Sequence, residues 1–153
     1  MISNKTLHYL SYLKFVFFIW MMALTVYAYI IPPNKELIPI TGNIMLLLGV
    51  FMGFEGLSDV ERLSEREKKK LSNPKHVKRL SVILFIAFIG SIVLSLYFFF
   101  LKYIFKDINP DYLSDFKRLG SDCLVMGLGF LCLLKLLYDQ EKYVKSLESK
   151  TEE

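Results

Sequence analysis

The stretch LSVILFIAFIGSIVLSLYFFFL, Leu80 to Leu101, runs for 22 residues without an Asp, Glu, Lys or Arg. About 20 apolar residues, at about 1.5 Å of rise each, cross a hydrocarbon core of about 30 Å. The stretch therefore reads as a membrane-spanning helix, and its composition directs the reading of the rest of the chain.

Three further uncharged or nearly uncharged runs flank it. The first lies between Lys14 and Lys35, is read as helical over residues 15–31, and stops at Pro32-Pro33, which cannot continue a helix. The second lies between Glu36 and Glu55 and reads as a span over 38–57, with Pro39 in its first turn. The fourth covers 119–138 and is interrupted by Asp122 and Lys135. With the third placed at 80–101, the expected fold is all-α: one membrane domain, 1–153, built as a bundle of four transmembrane helices. Hydrophobic residues make up 54% of the 153. A soluble domain of that size could not bury four such runs, because its surface would outrun its polar coverage. The first run stays bulky and aromatic past Val26-Tyr27-Ala28, so it reads as a retained span and not as a cleaved signal.

Sidedness follows from the distribution of Lys and Arg. The tails and the loop 58–79 together hold 14, and the opposite side holds five: Lys35, Lys102, Lys106, Lys117 and Arg118. Both termini and the loop 58–79 are therefore expected in the cytoplasm. Within that loop, Ser58 and Glu61 have capping-box spacing, and Glu65 with Lys69 forms an i,i+4 pair. A continuation of the second span as far as Leu71 is the alternative. Asn73-Pro74 fits the cap and first turn of the third helix. Asn109-Pro110 opens a short outer segment with Tyr112, Leu113 and Phe116, expected along the headgroups. The tail from Gln140 presents Tyr143, Val144 and Leu147 on one face.

The second run carries a glycine stripe. Gly42, Gly49, Gly53 and Gly56 project within an arc of about 60° at 100° per residue, and Gly49 with Gly53 forms a G-x-x-x-G. In lipid, close backbone approach drives helix association. The stripe is expected to pack on another helix of the chain, with a homo-oligomer or partner-protein interface as the alternative. Ala87, Ser91 and Ser95 of the third run repeat a small-residue spacing and offer a facing surface.

Ionisable residues inside a span are costly, and each is a candidate for function. Glu55 and Lys135 are expected at similar depth near the cytoplasmic end, as an ion pair, as two independent interfacial charges, or as a proton or cation site. Asp122, beside Gly120 and Ser121, is expected near the start of the fourth helix, where a carboxylate meets unpaired N–H groups. A transport or binding role is its alternative. Cys123 and Cys132 are about 13 Å apart along a helix, too far for a bridge. His8 and His76 lack partners at ligand spacing, and Trp20 reads as a lipid-facing or packing residue. No metal site, cofactor site or nucleic-acid footprint is expected. Enzymes need a positioned set of polar groups, and no such set can be assembled, so a non-enzyme is expected.

The pattern Leu46-Leu47-Leu48-Gly49-Val50-Phe51-Met52-Gly53-Phe54-Glu55-Gly56, then a Lys-rich connector and a second apolar helix, resembles small polytopic membrane proteins of unknown function in Gram-positive bacteria. The resemblance covers under half the chain and implies a bacterial plasma membrane, without implying an activity. In size, charge and layout the chain is also similar to some bacteriocin-immunity proteins. Small four-helix multidrug exporters resemble it poorly, since their membrane glutamate lies in the first helix, where this chain has no ionisable residue. The expected function is a non-enzymatic interaction factor, accessory or immunity-type, acting by packing the glycine face of the second helix and the loop 58–79 against a partner or a copy of itself. A small transporter or channel subunit using Glu55, Lys135 or Asp122 is the alternative.

Overall fold

The computed structural model describes residues 12–30, 36–58, 60, 63–105 and 109–151, apart from the side chains at 111, 150 and 151. The expectations placed on Lys5, His8, Pro32-Pro33, Lys35, Glu61, Arg62 and Lys106 fall outside those residues. The fold is all-α, with five helices: α1 (Leu13–Ile30), α2 (Leu37–Glu55), α3 (Glu65–Leu71), α4 (Pro74–Ile104) and α5 (Pro110–Thr151). Four of them, all but α3, are long and apolar enough to cross a membrane. The chain is by helix length and hydropathy a multi-pass membrane protein.

The four long helices form an open row in the order α1, α2, α5, α4. Among the described residues α1 packs on α2 alone, α2 on α1 and α5, and α4 on α5 and the short α3. Lys14 pairs with Glu55, Phe17 stacks on Phe54 at 5.4 Å between centroids, and Phe18 meets Phe51 at 5.7 Å. Those pairs run α1 antiparallel to α2. Between α4 and α5 the buried Ser95 hydroxyl donates to the Gly120 carbonyl at 2.7 Å, and Phe98 stacks on Phe116 at 5.9 Å. A β-carbon at Gly127 would meet Ser91 at 3.3 Å, so this pair is antiparallel too.

The small face of α4 was expected to meet the glycine stripe of α2. It packs on α5 instead, because Gly120 and Gly127, seven residues apart, open a matching groove there. Helices α2 and α4 do not touch among the described residues.

The last helix is far longer than its apolar segment. Its 42 residues span about 63 Å, twice a hydrocarbon core. Residues from Pro110 onward belong to it, so Tyr112, Leu113 and Phe116 are the opening turns of a spanning helix and not a separate headgroup segment. At the other end it continues beyond Tyr138 and packs on the connector. There Leu71 of α3, Val77 of α4, and Leu137 and Val144 of α5 form a buried apolar cluster, with Leu63, Leu80 and Leu84 against it. Ser72 donates a hydrogen bond to the Glu148 carboxylate across the same contact. We call this side of the row the basic end.

The connector is helical, as expected, but it is capped elsewhere. Ser58 lies in the turns after α2, and the capping box is Ser64 with Glu67: the Glu67 carboxylate accepts from the Ser64 amide at 2.8 Å and from its hydroxyl at 2.6 Å. The i,i+3 pair of Lys68 with Glu65, 2.8 Å, replaces the expected pair with Lys69. Asn73 caps α4 ahead of Pro74, as its sequence implied.

The hydrogen bonds from Ser64 hold the Glu67 carboxyl below the ordinary glutamate range. A depressed folded value means that the cap contributes fully above the ordinary glutamate pKa and is lost as pH falls through the folded value. Ser64→Ala is expected to destabilise α3 by about 1 kcal/mol at neutral pH. Hydrogen exchange at the Glu67 and Lys68 amides would read the loss, and the difference from wild type should shrink in acid.

Candidate functional site

The interior of the row is the contact between α2 and α5, and it is built on glycines. A β-carbon at Gly49 would lie 2.6 Å from the carbonyl carbon and oxygen of Val125 and 2.7 Å from the Met126 α-carbon. On the other side, one at Gly129 would lie 2.6 Å from the Gly49 carbonyl oxygen. The two backbones therefore touch, which needs both side chains to be hydrogen. Seven residues away in each direction the contact continues. Gly42 faces the carboxylate of Asp122, and a β-carbon at Gly56 would sit 2.9 Å from the Cys132 β-carbon. Residue numbers rise together on both helices, so α2 and α5 run parallel.

Three of the four glycines singled out in the sequence thus serve one interface within the chain. The fourth does not, since nothing lies within 4 Å of a β-carbon at Gly53. Positions seven apart drift by about 20° per heptad on a straight helix, and the contact line follows that drift through Gly42, Gly49 and Gly56. Gly53 falls about 50° to one side of it. The G-x-x-x-G reading is corrected accordingly: the working spacing is seven, not four. Gly129 was not singled out, although its spacing of seven from Asp122 and its place beside Gly127 carried the signal.

Polar groups mark the two ends of this interface. At the basic end, the Lys14 ammonium of α1 lies 2.6 Å from the Glu55 carboxylate, both part-buried, and 5.4 Å from the Phe15 ring centroid. Glu55 and Lys135 do not form the ion pair that was one of the alternatives, since Glu55 pairs with Lys14 instead. Glu55 and Gly56 are neighbours and therefore about 100° apart around the axis. With Gly56 turned to α5, Glu55 is directed to α1. Lys135 is exposed and has no ion-pair partner among the described residues.

At the far end, Asp122 is 94% buried. It lies twelve residues into α5, so it does not cap the helix. That expectation fails because α5 begins at Pro110 and not near Leu119. One carboxylate oxygen of Asp122 has no hydrogen-bond partner. Arg118, one turn before it on α5, donates to the Asn43 side chain of α2 at 2.8 Å, so a polar link spans the helices next to the buried acid. Sequence reasoning missed Asn43 and Arg118 because each is unremarkable until the register of α2 against α5 is known.

The cysteines are free. Cys123 is buried with its thiol 3.4 Å from the Met45 sulfur. His76 and Trp20 are exposed. Among the described residues no three His, Cys, Asp or Glu side chains gather in a way that could hold a metal. Comparison of the chain with protein-family models, with curated proteins and with solved structures gives no match.

The glycine contact generates a contrast between two nominally equivalent positions. Gly49→Ala is expected to lower thermal stability in detergent by several degrees, because its methyl group meets backbone that cannot yield. Gly53→Ala is expected to leave stability unchanged or raise it by up to about 1 kcal/mol through helix propensity. Equal losses at both positions would show that the contact line does not run as described.

Proposed function

We propose that this chain is a non-enzymatic accessory protein of a bacterial plasma membrane, with both termini and the basic end in the cytoplasm. On this reading its partner is another protein, received at the cytoplasmic platform formed by α3 and the ends of α4 and α5. One observation carries the reading. The chain extends α5 well past its apolar segment and packs it on α3 and α4, leaving an open groove of about 540 Å³ on the result. Charges of both signs rim the groove, from Glu65, Lys68, Lys69 and Glu148, over Val144 and Leu147. That mixture suits a polypeptide, with its own mixed charges and apolar side chains, better than a small metabolite of one charge.

The expected mode of action changes with the packing. Three of the four glycines of α2 are taken up inside the chain, and α1, which among the described residues packs on α2 alone, exposes Phe15, Ile19, Trp20 and Val26 to a partner engaging the membrane region. A second reading, a small transporter, is favoured by Asp122, a buried membrane carboxylate with an unpartnered oxygen.

Purification of the tagged chain from its native membrane in mild detergent, with mass spectrometry of intact complexes, discriminates between them. A stoichiometric foreign protein is expected, and Lys69→Glu combined with Leu147→Asp should reduce its recovery about tenfold while Asp122→Asn leaves it unchanged. Purification of the chain alone, together with flux in vesicles that Asp122→Asn abolishes, would replace the accessory reading with transport.

A further inference from the structure

The first turns of α4 carry a second feature, on the side turned away from the protein. Val77, Leu80 and Leu84 face the apolar cluster with α5. At 100° per residue, Lys75, Lys78, Arg79, Val82 and Ile83 fall on the opposite face. Together these five line a groove of about 500 Å³, and among the described residues no carboxylate borders it. Lys75, Lys78 and Arg79 are exposed, and none forms an ion pair among the described residues. The nearest acid in the neighbouring cleft is Glu141, which holds Lys145 at 2.6 Å. Among the described residues these three cations thus share one face without an ion pair.

The position along the helix makes this arrangement specific. The uncharged run starts at Leu80, so Lys75 to Arg79 stand where phosphates of the adjacent leaflet lie. Val82 and Ile83, 49% and 52% exposed, are the first aliphatic side chains below them. The offset from Lys78 and Arg79 to Val82 and Ile83 is four residues, about 6 Å of rise. A phospholipid has the same order of groups, a phosphate followed by the first methylenes of its chains. A free phosphate would use the cations and leave the aliphatic floor bare.

We propose that Lys75, Lys78 and Arg79 bind the phosphate of one anionic phospholipid, whose acyl chain lies along Val82 and Ile83. The inference rests on the four apolar helices crossing a bilayer and is independent of the protein partner proposed above. Arg79 supplies a planar fork for two phosphate oxygens, and the lysines supply point charges. An anionic headgroup is preferred over a zwitterionic one because the groove offers no acid to a choline.

The test is titration of the purified full chain, in mild detergent, with phosphatidylglycerol or phosphatidylcholine, counting bound lipids by native mass spectrometry. The first phosphatidylglycerol is expected to bind about tenfold more tightly than phosphatidylcholine. Lys75→Gln, Lys78→Gln and Arg79→Gln together should abolish that preference, and Lys78→Gln alone should reduce it part-way. Lys69→Gln, Lys70→Gln and Lys142→Gln together remove the same charge elsewhere and should retain it. Equal loss in the two triple variants would mean diffuse attraction and overturn the site. So would equal binding of the two lipids. Displacement by millimolar glycerol 3-phosphate, which has the headgroup chemistry without the chains, would overturn a lipid as the occupant. Because the assay contains no partner protein, a failed partner search and a failed lipid site give separate results.

Discussion

The backbone contact of Gly49 with Gly129 is the constraint on which the arrangement depends. In lipid the tails are as apolar as leucine, so burial of apolar surface does not drive helices together, and van der Waals contact and a few hydrogen bonds must. Two facing glycines let the α2 and α5 backbones touch, and Gly42 and Gly56 extend that line on the α2 side by one heptad each way. Once α2 lies on that face of α5, α4 takes another face, where Gly120 and Gly127 receive Ser95, Phe98 and Ser91. The α1 helix follows from Glu55, directed away from α5 and toward Lys14. The row order is thus set by how small residues are distributed around α5.

Helix α5 also couples the membrane region to the platform at the basic end. A continuous helix of about 63 Å transmits the position of its buried segment to Val144 and Glu148 without a hinge. The platform is fixed by local devices of ordinary strength: the Ser64–Glu67 box, the Asn73 cap and a small apolar cluster. Helix α5 thus joins the open row to the packed cluster at its basic end. Among the described residues α1 and α4 do not meet.

Much of this was legible in the sequence where composition or local chemistry decides. Leu80–Leu101 cannot be anything but a buried or lipid-facing helix, and Asn73-Pro74 states its own role. The capping box was legible in kind and misplaced, because Ser58-x-x-Glu61 and Ser64-x-x-Glu67 have the same spacing and only the turns after α2 choose between them. Asp122 was read as a helix start because a charge in an apolar run resembles an edge, whereas helix continuity depends on backbone hydrogen bonds and extends back to Pro110. The pairing of Glu55 needed the azimuth of α2 and not its depth alone. Depth can be read from hydropathy, but azimuth requires a partner helix. For the same reason Gly49 and Gly53 looked equivalent in the sequence and are not.

The contact of Gly56 with Cys132 allows the central packing to be tested with one substitution and a native thiol. The chain with Gly56→Cys, in membranes under mild oxidant, would be analysed for an intramolecular disulfide by thiol alkylation and mass spectrometry, with Gly53→Cys in parallel. The account predicts a bridge from position 56 to Cys132 and none from position 53. Bridging from position 53, or only between separate chains, would contradict the parallel glycine contact of α2 on α5.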